Sequence, residues 1–282
     1  MGFTTWPYAP SQEALDTTDA FLMDNGDIYS EHIDTSIPWN AWMNDADLPN
    51  SFTEMVANRA TRRTYENTMT LSISLLNTDR SDLAPDFDGS LPDYVSLDDP
   101  HIEEAYYKHV NYLVEELTPD YLVISVEVDG LLKHAPEKWE AYKSLMVKVR
   151  GRIKSDNPSL PISESVMLHG FYQPDFGDTP TVISEVTNYI NSMDFAAISF
   201  YPFLKGQSTK AEFQQALNFL HANVVKPIAF AETGHLSEDL TVEGFNLFIA
   251  GNESEQDDYM QSLLINAQEN DYEYIIWWTH RD

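Results

Sequence analysis

Eight apolar runs of strand length, separated by stretches with helical spacing, constrain this chain more than any other feature. They fall at residues 2–8 (GFTTWPY), 26–33 (GDIYSEHI), 69–76 (MTLSISLL), 121–128 (YLVISVEV), 162–170 (ISESVMLHG), 195–202 (FAAISFYP), 227–232 (PIAFAE) and 274–279 (YIIWWT). Near-continuous apolar strands that alternate with helices are the signature of a parallel sheet covered on both faces. Eight such units predict an α/β fold, a (β/α)8 TIM barrel. A single domain over residues 1–282 is expected, because Pro and Gly (15 and 11) are spread thinly and no seam interrupts the pattern. The chain ends three residues after the last run, so the last helix reads as short or absent. The alternative, a doubly wound open sheet, would usually carry a Gly-rich phosphate turn, and no G-x-G-x-x-G occurs.

The intervening segments show the period of a helix. Trp139, Tyr142, Leu145, Met146, Val149 and Ile153 recur three or four apart before a stop at Asn157-Pro158. Ile102, Tyr106, His109, Val110, Leu113 and Leu117 form a second stripe, on which His109 reads as a core histidine. Tyr259, Leu263, Leu264 and Ala267 predict a third.

Composition excludes several partners. Sixteen Lys plus Arg stand against 46 Asp plus Glu, a formal charge of −30, and so acidic a coat repels phosphate backbones and anionic lipid heads. No nucleic-acid partner is expected. No run of about 18 apolar residues is present, so no membrane span is expected either. With no Cys there is no disulfide or thiol chemistry. No signal peptide opens the chain, which leaves an absent or a removed one.

In a (β/α)8 barrel the chemistry sits where strands run out into the following loops. The fourth run ends with Glu127 and Asp129, the fifth with His169, the sixth with Tyr201, the seventh with Glu232 and His235, and the eighth with Trp277 and Trp278. A buried strand that finishes on a carboxylate needs a reason, because an unpaired buried charge is costly. None of these runs carries Lys or Arg at these ends, so an ion-pairing role for Glu127 or Glu232 would require a cation from a loop. Two glutamates facing one another at about 5 Å perform retaining glycoside hydrolysis, one as nucleophile and one as acid and base.

The chain resembles the retaining glycoside hydrolases of the (β/α)8 superfamily that carry catalytic glutamates on strands four and seven, and within them the arabinogalactan endo-β-1,4-galactanases. ISFYPF (198–203), FAETGH (230–235), VMLHGF (166–171) and the closing SEQDDYMQSLLINA with YIIWWTHRD carry the likeness. The resemblance implies Glu232 as nucleophile, Tyr201 as its hydrogen-bond donor, Glu127 as acid/base, His169 in the sugar site and a Trp of the eighth strand beneath the reacting sugar. It covers strands four to eight well and the first hundred residues poorly. Val126 stands where the family has an Asn before its acid/base, and Asp129 is the reserve acid. The second strand offers Glu31, His32 and Asp34 in place of the family's Arg.

The substrate-binding set is thus Trp6, Glu31, Trp39, Asp129, His169, Tyr201, His235, Trp277 and Trp278. Trp277 and Trp278 are adjacent, so at most one faces the site. Trp39 and Trp42, in the loop over 37–49, suit either stacking on a sugar or plugging the fold. The acidic loop over 77–100 lacks the order of a calcium site and reads as a solvated lid. No cofactor and no metal are expected, and the protein is expected to be a monomer that meets its carbohydrate outside the cytoplasm, extracellular or periplasmic. The rival readings are a carbohydrate-binding barrel without catalysis and a metal-dependent barrel hydrolase using His32 and Asp34.

Overall fold

The structure is a computed structural model that describes residues 1–64, 66–242 and 247–280. The chain opens with β1 (Gly2–Thr4), α1 (Gln12–Asn25) and β2 (Ile28–Ile33), followed by α2 (Trp39–Asn44), α3 (Asn50–Ala60) and β3 (Thr68–Ile73). Next come α4 (Pro100–Leu117), β4 (Tyr121–Val123), α5 (Asp129–His134), α6 (Trp139–Asp156), β5 (Ile162–Ser163) and β6 (Ser165–Met167). The remainder is α7 (Leu168–Phe171), α8 (Thr179–Ile190), β7 (Ala196–Phe200), α9 (Lys210–Asn223), β8 (Ile228–Thr233), the strands β9 (Leu240–Val242) and β10 (Leu247–Ile249), α10 (Glu253–Glu269) and β11 (Ile275–Trp277). The α/β alternation is that of a (β/α)8 barrel, with β5 and β6 as two pieces of the fifth strand and the antiparallel β9–β10 pair as an addition.

Two compact units divide the chain, Met1–Tyr29 with Val166–Asp282, and Ser30–Ser165. In the second unit the strands run β5-β4-β3-β2. Parallel pairing sets Thr70 beside Tyr121 and Ser72 beside Val123, then Val123 beside Ser163. The helices cover this sheet with the stripes expected of them. On α4, Ile102, Tyr106, His109, Val110, Leu113 and Leu117 are all buried. Asp99 caps its first turn and Pro100 takes the first helical position, where a missing N–H costs nothing. On α6 the buried set includes Trp139, Tyr142, Leu145, Met146, Val149 and Ile153.

In the first unit the order is β1-β11-β8-β7-β6. β8 is buried at every position, and its parallel register with β7 sets Ser199 beside Glu232 and Phe200 beside Thr233. A capping box between Thr209 and Glu212 starts α9. On α10 the stripe is rotated from expectation. Ser262 and Asn266 are buried with Tyr259 and Leu263, whereas Leu264 is 42% exposed. Asn266 is accommodated because its side chain exchanges hydrogen bonds with Gln214 at 3.0 and 3.1 Å and donates to the Ser262 carbonyl at 2.8 Å.

Several strands are shorter than their apolar runs. The run over 121–128 is extended only to Val123, because Gly130 N–H returns to the Glu127 carbonyl and Leu131 N–H to that of Val128, closing a turn. The run over 162–170 gives way at Leu168 to α7, which takes His169 out of the sheet.

Candidate active site

In the first unit, alternation along β8 decides which side chains meet. Thr233 Oγ1 contacts Tyr259 Oη of α10 at 2.5 Å, so this position faces the helical layer. Glu232, one residue earlier, faces the opposite side at 6% exposure, where Tyr201 Oη donates to Oε2 at 3.4 Å. Tyr201 lies just past β7 and packs beside Gly234, where a Cβ would stand 3.5 Å from its ring.

The same alternation separates the adjacent tryptophans. Trp277 pairs with Thr233 in register and packs on Tyr259 with ring centroids 5.9 Å apart, on the helical side. Trp278 therefore shares the face of Glu232. Its backbone N–H donates to the Thr233 carbonyl at 2.8 Å, its carbonyl accepts from Thr4 Oγ1, and its ring lies 6.0 Å from Trp6, which is 41% exposed. Glu232, Tyr201, Gly234 and Trp278 thus line one face of this unit, with Trp6 beside Trp278.

His235 lies elsewhere. His235 sits among Phe203, Phe213 and Tyr259 at centroid distances of 5.8, 5.5 and 5.9 Å, with its ring nitrogens against the carbonyls of Gln207 and Leu236. That is an aromatic packing position on the helical side. His169 is buried on α7 at 9% exposure.

In the second unit β2 sorts its polar residues by the same rule. The Glu31 carboxylate is bound by Arg59 at 2.5 Å and Arg62 at 3.3 Å, from α3 and the turn after it, and is 1% exposed. Its charge is matched within the helical layer. His32 points to the other face and bonds Asp34 at 3.3 Å. Burial alone would raise the Asp34 pKa, but the hydrogen bond and charge of His32 and the charge of Arg80 outweigh it and hold the carboxyl below its ordinary value. Arg80 Nη2 in turn reaches Glu127 Oε2 at 3.3 Å. His32, Asp34, Arg80 and Glu127 form one electrostatically linked chain.

Trp39 is core, not a sugar platform: it is 1% exposed, donates through Nε1 to the Ala84 carbonyl at 2.7 Å and packs on Tyr106. Trp42 packs on Phe52, His109 and Tyr112. Asp129 is buried at 2% exposure in the first turn of α5. Val126 is 1% exposed and presents no polar group beside Glu127. Among the described residues no group of three or more His, Cys, Asp or Glu is placed to hold a metal ion, and the neighbour of the His32–Asp34 pair is a cation.

Arg80 is the residue that sequence reading passed over. It is the one cation among seven aspartates in the loop over 77–100, which was the available signal. The loop itself is no loose lid. Leu76 and Leu83 form an antiparallel bridge, and Leu83, Ala84 and Leu97 are buried.

No protein-family model and no curated protein matches the sequence. Solved structures do match in fold. A GH53 catalytic domain from Ignisphaera aggregans aligns with TM-score 0.59 at 18% identity, covering 89% of this chain and 72% of that one. Fungal β-1,4-galactanases align with TM-score 0.59 at 15% identity over 92% and 79% of the two chains. A GH113 β-1,4-mannanase aligns with TM-score 0.54 at 14% identity over 99% and 87%.

Proposed function

We propose that this chain is a retaining glycoside hydrolase that cleaves a β-linked poly- or oligosaccharide by double displacement. The observation that carries the reading is Glu232, a carboxylate at the end of a wholly buried strand whose Oε2 accepts from Tyr201 Oη at 3.4 Å. Support also comes from the fold neighbours, which include fungal β-1,4-galactanases and a β-1,4-mannanase.

Glu232 attacks the anomeric carbon as Glu127 delivers a proton to the departing oxygen. Glu127 then takes a proton from water, whose oxygen displaces Glu232, so two inversions give net retention. Tyr201 orients the nucleophile through Oε2. Trp278 and Trp6 offer aromatic faces to the apolar face of a sugar ring. A polymeric substrate of this kind is met outside the cytoplasm, and a single-domain monomer acting there is part of the proposal.

The test is turnover on a panel of β-linked oligosaccharides, galactan included, by wild type and Glu232→Gln, with the anomer of the first product read by NMR. A β product from wild type and loss of turnover in the variant are expected. An α product, or full turnover by Glu232→Gln, overturns the mechanism. Buried, apolar Val126 beside Glu127 favours a second reading, a carbohydrate-binding barrel without catalysis, whose mark is tight glycan binding with no product.

A further inference from the structure

Five non-glycine residues among those described have positive φ: Asp45, Arg80, Thr118, Glu127 and Asp271. Three of them close helices, where a left-handed residue is ordinary. Asp45 caps α2, Thr118 caps α4, and Asp271 follows the Asn270 cap of α10. The other two, Arg80 at φ 53° and Glu127 at φ 54°, close no helix, and their side chains meet each other. Left-handed backbone is strained at residues with a Cβ and persists only where the surroundings over-determine it.

Both surroundings do so. Around Arg80, its own N–H and its Nη1 bond the Asn77 carbonyl at 2.9 and 3.0 Å, while Asn77 Oδ1 accepts from Ser81 N–H at 3.0 Å. Asp82, next along, is clamped by Lys138 at 2.8 Å and by Tyr94 Oη, and Lys138 also reaches the Ser81 carbonyl at 3.2 Å. Around Glu127, the N–H is held by Ser165 Oγ at 2.9 Å between the buried anchors Val126 and Val128. The guanidinium is 12% exposed, so its pairing with Glu127 is shielded from most solvent screening.

We propose that Arg80 is a positioning residue for proton transfer by Glu127, an inference that rests on the acid/base role given above. Arg80 fixes the rotation of the Glu127 carboxyl group. It also stands beside the negative charge that appears there when the proton leaves: the O–H bond of Glu127 breaks, the glycosidic oxygen gains the proton and keeps the electron pair of its bond to the anomeric carbon, and a carboxylate remains against the guanidinium. A planar, fixed cation suits this task better than a flexible ammonium. The strained backbone at both residues is the structural investment in that geometry.

The consequence is specific to the leaving group. A departing sugar alcohol needs the proton, whereas 2,4-dinitrophenolate leaves without it. The experiment compares kcat/KM for β-1,4-galactotetraose and 2,4-dinitrophenyl β-galactobioside, or the matching pair for the sugar the panel identifies, in wild type, Arg80→Met, Arg80→Lys and Glu127→Ala. We expect Arg80→Met to lose roughly 10²-fold on the oligosaccharide, the scale of a general-acid contribution, and less than about threefold on the dinitrophenyl substrate. Arg80→Lys should recover part of the loss, and Glu127→Ala should show the same selectivity more strongly. Equal loss on both substrates by Arg80→Met, or no loss on either, overturns the positioning role while Glu127→Ala keeps its selectivity. Absence of that selectivity in Glu127→Ala overturns the acid/base assignment, and with it this inference.

Discussion

Acidification should destabilise this protein through His109 before most of its carboxylates respond. His109 is fully enclosed in α4, with Phe52, Tyr106 and Trp42 at ring centroid distances of 5.5, 6.1 and 6.2 Å, and its Nδ1 accepts from Trp42 Nε1 at 3.3 Å. Burial among these rings pushes its pKa down to about 3, against an ordinary 6.5. The folded state therefore refuses a proton that the unfolded chain binds. The stability contribution is fully present above pH 6.5 and is lost progressively as pH falls toward 3. At pH 5 nearly every unfolded chain carries the proton and nearly every folded one does not, which costs about 2 kcal/mol relative to pH 8. His109→Asn keeps an acceptor for the Trp42 indole and removes the titration. Urea unfolding followed by tryptophan fluorescence at pH 8 and pH 5 should show wild type losing about 2 kcal/mol more than this variant. Equal losses in the two proteins would refute the reasoning, because the shared carboxylates would then account for the whole effect.

The left-handed turn at Glu127 predicts a reversed order between two truncations. Both Gly and Ala delete the carboxylate, so Arg80 is deprived equally. Ala keeps the left-handed penalty of roughly 1–2 kcal/mol, and Gly loses roughly 0.5–1 kcal/mol of unfolded-chain entropy. Glu127→Gly should melt higher than Glu127→Ala, and the opposite order in calorimetry counts against the assigned backbone. The adjacent tryptophans should separate stability from turnover. Trp277→Ala should cost about 3–5 kcal/mol by emptying its place against Tyr259. Trp278→Ala should raise KM with a much smaller shift in melting, and a larger stability loss at Trp278 than at Trp277 would reverse the assignment of faces.

The fold was legible because its signal is periodic. Runs of apolar residues at strand length and stripes three or four apart report burial directly, and the α4 and α6 stripes carried over residue for residue. What the pattern does not encode is the sign of φ. YLVISVEV alternates well enough to be extended to its end, yet the chain turns left-handed at Glu127 and the strand stops at Val123. Faces were equally hidden. A strand buried on both sides gives no polar face to orient it, so Glu31 and His32 look alike in sequence until Arg59 and Arg62, about thirty positions later, claim the glutamate for the helical layer. Trp39 and His235 failed as candidates for the same reason, since aromatic and histidine side chains suit a sugar site and a packed aromatic cluster alike.

The last strand carries a consequence for folding fidelity. Its residues Ile275–Trp277 and the Trp278 that follows read as two identical pairs, Ile275-Ile276 and Trp277-Trp278. Sliding a strand by one residue exchanges its two faces, which normally puts polar groups into the core and so penalises the error. Here the exchange would return an isoleucine and a tryptophan to each face, and the side chains of these four residues would hardly register the mistake. Correct alignment then falls to the flank, where Tyr274 packs on Phe195 with ring centroids 6.0 Å apart and its carbonyl accepts from Phe230 N–H at 2.9 Å. Tyr274 acts as the index mark of a strand that is otherwise its own mirror, and replacing it should yield molecules that fold with β11 in two alignments, each with a different indole against Tyr259.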